Sequence, residues 1–127
     1  MRIGLLSTLL PQCIGCGSGS VNLEQHQQKL RSLRSTVVNV ADAWLNGATS
    51  TRFSTAALER AFELLARERD ALATNPVQRA DARVDSLVRD AEQLERTLAA
   101  IAADLQAHDS AGVRRQLADL NGRQSSP

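Results

Sequence analysis

The chain has 127 residues, with 15 Lys plus Arg against 14 Asp plus Glu and an aromatic content of 2%, which is length for one domain and too few aromatic residues for a strand-rich fold. Its opposite charges interleave and no run of like charge exceeds two, so it lacks the clustered cationic surface that phosphate binding requires, and a nucleic-acid partner is not expected.

Residues 1–20 read MRIGLLSTLLPQCIGCGSGS. One basic residue, Arg2, precedes an apolar run from Ile3 to Leu10, and small residues follow, in the order of a secretory signal. The run is far below the roughly 20 residues that span a bilayer as a permanent helix, and no later stretch comes close. Ile14-Gly15-Cys16 resembles the cleavage box of bacterial lipoprotein precursors, in which a small residue precedes a cysteine that is acylated and becomes the new N-terminus. The resemblance covers about 16 residues and implies lipidation of Cys16, a signal peptide over residues 1–15 and a membrane partner through the lipid anchor. More than one acyl chain on Cys16 would meet the requirement for stable anchoring. Gly17, being non-acidic, is similar to the residue found in members sorted to the outer membrane, so the implied location is the periplasmic side of a bacterial membrane, with the outer membrane favoured. Ordinary secretion after a cut near Gly17 is the alternative for the same leader, and a cytoplasmic protein the alternative to both.

Cys13 and Cys16 also have the Cys-x-x-Cys spacing of redox, zinc and haem-attachment motifs. Haem attachment needs His after the second cysteine, where Gly17 stands; zinc needs a second ligand pair; a thioredoxin-like motif needs a βαβ setting. Removal of residues 1–15 would take away Arg2 and leave 14 basic against 14 acidic residues, so the mature body is expected to be neutral and its membrane attachment non-electrostatic.

After a flexible tether over residues 16–21, a helical bundle is expected over 22–121 and a disordered tail over 122–127. Leu23, Leu30, Leu33, Val37, Val40 and Trp44 follow helical spacing, with Asn22 and Gln25 as a capping box and Asn46-Gly47 as the stop. Ser54 suits the N-cap of a second helix carrying Leu58, Ala61, Phe62, Leu65 and Leu72 and ending near Thr74. Asn75-Pro76, with Gln78, predicts the start of a third helix, which carries Val84, Leu87, Ala91, Leu94, Leu98, Ile101 and Leu105 as far as about His108. At 1.5 Å per residue that helix would be about 50 Å long against about 36 Å for the first, so it would overhang its neighbours. A short helix after Ser110, with Val113, Leu117 and Leu120, could fold back over the overhang; otherwise a second copy could. The predicted fold class is therefore all-α, a small antiparallel bundle of three long helices plus a short C-terminal helix.

Glu63 with Arg67, Asp85 with Arg89 and Glu92 with Arg96 place an acid four residues before a base, a pattern of water-facing helix surfaces and not of catalytic carboxylates. No nucleophile with a base, phosphate loop or cofactor motif is present in the sequence, so neither catalytic residues nor metal ligands are assigned and an enzyme is not expected. His26 and His108 fall in phase with apolar stripes and are the candidates for a small ligand- or metal-carrying bundle. In up-down-up order they lie at opposite ends of the bundle, which excludes a shared metal within one chain. Trp44, Phe53 and Phe62 are expected to pack together where the first two helices meet. The function that follows is a non-enzymatic, lipid-anchored envelope module that presents helix surfaces to a protein partner or to itself.

Overall fold

The computed structural model describes residues 18–74 and 80–125. Among them are four helices, α1 (Ser18–Leu45), α2 (Thr51–Thr74), α3 (Ala82–Gln106) and α4 (Ser110–Ser125), and no strand. The protein is a small all-α bundle. His26 meets Glu68 and Trp44 meets Thr51, so α1 and α2 run antiparallel. The most extensive packing joins α2 to α3, while α4 lies against α3 and α1.

The core is aliphatic and lies where the 3.6-residue period places it. Leu23, Leu30, Val37 and Ala41 of α1 meet Leu58, Ala61, Leu65 and Leu72 of α2. All seven predicted positions of α3 are buried, and Val113, Leu117 and Leu120 of α4 close the remaining side. Fully burying one such leucine stabilises by about 2–3 kcal/mol, so the stripes dominate the fold energetically. Leu33, Val40 and Trp44 flank the α1 stripe and are half-buried.

Several boundaries differ from expectation. The helical backbone of α1 begins at Ser18 and passes through Asn22, so residues 18–21 are helical where a tether was expected and Asn22 does not cap the helix. The N-cap of α2 is Ser50, whose hydroxyl accepts the Phe53 amide at 3.1 Å. Ser54 lies inside the helix, buried, with its hydroxyl 2.8 Å from that of Thr49. The Asn75-Pro76 start of a long third helix lies outside the described residues, but Ala80 and Asp81 are not helical. Asp81 is extended and its carboxylate accepts the Arg83 amide at 2.9 Å, so α3 starts at Ala82. With 25 residues against 28 in α1, α3 does not overhang. At the other end, α4 continues to Ser125 through residues 122–125, which were expected to fray.

Two helix ends share one hydrogen-bond pattern. At the end of α1 the Gly47 amide donates to the Trp44 carbonyl and the Ala48 amide to the Ala43 carbonyl, with Gly47 at φ 75°. At the end of α3 the His108 amide donates to the Leu105 carbonyl and the Asp109 amide to the Asp104 carbonyl, with His108 at φ 57°. Both are Schellman motifs, which satisfy carbonyls that the helix leaves open. Asp109 then caps α4 by accepting the Gly112 amide at 2.9 Å. A Cβ at Gly112 would come within 2.6 Å of carboxylate oxygens of both Asp104 and Asp109, so a larger residue there would displace these two side chains.

Candidate functional site

Cys13 and Cys16 lie outside the described residues, and in sequence only Gly17 separates Cys16 from the first helical residue, Ser18. No described helix is long and apolar enough to cross a membrane.

The two histidines have different environments and do not meet. His26 Nδ1 contacts Glu68 Oε1 across the α1–α2 seam, and Lys29 Nζ lies 3.7 Å from the other carboxylate oxygen. Glu68 is buried in phase with the stripe Leu58, Ala61, Leu65 and Leu72. A buried carboxylate is tolerated because these two side chains partner it. His108 is exposed; its left-handed backbone turns it off the α3 stripe, and its ring lies over Trp44 with centroids 6.5 Å apart. Trp44 follows His26 by eighteen residues on α1, about 27 Å along the helix axis, so the histidines sit at opposite ends of the bundle. Among the described residues no group of three or more His, Cys, Asp or Glu side chains converges on a metal-sized site.

The second buried carboxylate is Glu95 on α3. One guanidinium nitrogen of Arg69 on α2, Nη1, donates to both of its oxygens, at 2.7 and 2.9 Å, a charge-assisted contact across the α2–α3 seam. Neither Glu68 nor Glu95 belongs to a sequence motif, although each occupies an apolar phase of its helix. That mismatch, an acid in the stripe, is the signal that locates them.

The exposed charges behave as a solvated face, with different pairings from those expected. Glu63 pairs with Arg60 at 3.4 Å and Arg96 donates to Gln93 at 2.9 Å. Asp81 is held below its ordinary carboxylate value by the Arg83 guanidinium and then by the Arg83 backbone amide. The expected aromatic cluster is not formed as a core. Trp44 is half-buried and donates through Nε1 to Thr51 Oγ1 at 3.0 Å, whereas Phe53 is 62% and Phe62 38% exposed. Phe62 lies instead beside Leu98, Ala99 and Ala102 of α3, away from Trp44.

No family model, curated protein or solved structure matches the chain.

Proposed function

We propose that the protein is a non-enzymatic envelope module held on the periplasmic side of a bacterial membrane, the outer membrane favoured, by acyl chains on Cys16. The observation that carries this reading is the order Arg2, apolar Ile3–Leu10, then Ile14-Gly15-Cys16, which is that of an export signal with a lipid-attachment box. Two acyl chains give the anchoring that one chain cannot. With Ser18 already helical two residues after Cys16, a body anchored there would stand close to the lipid surface. Its role would then be to present helix surfaces to a protein partner or to another copy.

The test is labelling of cells with radioactive palmitate, followed by membrane fractionation, for wild type beside Cys16→Ala. The reading requires label and membrane association in wild type and loss of both on substitution. Equal membrane association of the two forms, without label, refutes it.

A further inference from the structure

The seam between α1 and α2 holds a groove of about 350 Å³ lined by Lys29, Ser32, Leu33, Leu64, Arg67 and Glu68. Its walls are polarised. Lys29 and Arg67 lie at the level of Glu68, because Lys29 reaches the Glu68 carboxylate and Arg67 adjoins it in sequence. Leu33 is one turn further along α1 and Leu64 one turn earlier along α2, and the helices are antiparallel, so both leucines fall on the same side of the cationic level. One end of the groove is therefore cationic and the other aliphatic.

The cationic end keeps one positive charge, that of Arg67, beyond the Lys29–Glu68 pair. Lys29 is 64% exposed and touches Glu68 loosely at 3.7 Å, while Glu63, the acid expected to serve Arg67, pairs with Arg60 instead. Glu68 is the one acid in the wall, and its Oε1 is already engaged by His26 Nδ1. At the other end Leu64 is one of three large hydrophobic side chains left exposed among the described residues, at 37%. A ligand carrying one negative charge and an alkyl chain would pair with Lys29 and Arg67 and cover Leu33 and Leu64. A small anion would leave the leucines wet, and a neutral chain would leave the cations unmatched.

We propose that this groove is a binding site for a single-chain anionic amphiphile, with its carboxylate between Lys29 and Arg67 and its first carbons over Leu33 and Leu64. The site is built by side chains of the described body, and its occupancy does not depend on acylation of Cys16. The full-length chain carrying Cys16→Ala, which stays unlipidated, keeps the two readings separable.

The test is titration of that chain with decanoate, acetate or decyltrimethylammonium, followed by backbone amide NMR. Decanoate is expected to shift Ser32, Leu33 and Leu64 saturably, with acetate and the cationic amphiphile at least tenfold weaker. Arg67→Gln and Lys29→Gln should each weaken decanoate binding about tenfold, the effect of removing a charged hydrogen-bond partner. Leu64→Ser should weaken it with helix content unchanged by circular dichroism, since Leu64 is outside the core. Equal binding of the two amphiphiles, undiminished binding in the Lys29→Gln, Arg67→Gln double variant, shifts centred on Phe62 instead, or no saturable shift below the micelle concentration of decanoate would each overturn the proposal.

Discussion

The ends of α1 and α3 make the same Schellman hydrogen bonds, yet one places Gly47 and the other His108 in the left-handed conformation. Glycine enters that region without steric cost, whereas a residue with a Cβ loses about 1–2 kcal/mol there. The α1 cap is thus self-sufficient, and the α3 cap depends on what surrounds it. Its supports are the Trp44 ring, which lies in the last turn of α1 and faces His108, and Asp109, which ends the α3 motif and begins α4. A helix end made with glycine is a local property of the sequence; one made with histidine is a tertiary property.

The largest expected effect is at Trp44, whose ring faces the α3 cap while only its backbone carbonyl serves the α1 cap. Trp44→Ala is expected to cost about 2–3 kcal/mol in chemical denaturation, less than a fully buried tryptophan because the ring is only half-buried. A loss below about 0.5 kcal/mol would mean that the ring does not support the α3 cap, since changes of that size are ordinary at surfaces.

Exchanging the special residues sharpens it at smaller amplitude. Gly47→Ala should destabilise by about 1–2 kcal/mol. His108→Gly should change stability by no more than about 0.5 kcal/mol, because the conformational relief is offset by the lost contact with Trp44 and by glycine's greater unfolded freedom. In the Trp44→Ala background the same His108→Gly change should become stabilising, since the contact is already gone. Trp44 is the only tryptophan and there is no tyrosine, so intrinsic fluorescence reports on this junction alone. Identical emission from wild type and His108→Gly would argue against ring contact in solution.

The smallest effect belongs to the start of α3, where Asp81 caps through a charge and not through backbone geometry alone. Its folded value lies below the ordinary 3.8, so its contribution is complete above that value and is lost as pH falls through the lowered one. Wild type should therefore exceed Asp81→Ala in thermal midpoint at about pH 6, with the gap narrowing as pH falls below 3.8. A constant gap across that range would remove the charge from the explanation.

What was legible in the sequence follows the same division between local and tertiary causes. The stripe of α3, the short helix with Val113, Leu117 and Leu120 and the Asn46-Gly47 stop were readable because each rests on period or turn chemistry within a few residues. Cap competition was harder: Ser50 and Ser54 are equal in kind, and Ser50 serves because its hydroxyl reaches the Phe53 amide while Ser54 turns inward. The exposure of Phe53 and Phe62 and the burial of Glu68 and Glu95 inverted the hydrophobic pattern. Those positions are decided by which helix comes alongside, as His26 does for Glu68 and Arg69 for Glu95, and not by the residues themselves. Of the candidate sites, the opposite placement of His26 and His108 followed from helix order, whereas the Lys29–Arg67 groove exists only where two helices meet.

The proposed attachment through Cys16 is tested most directly by the intact mass of the protein recovered from cell membranes. The account predicts a chain that begins at Cys16, lacks residues 1–15 and carries added acyl mass. Recovery from the soluble fraction of a chain still beginning at Met1, with both Cys13 and Cys16 unmodified, would contradict it.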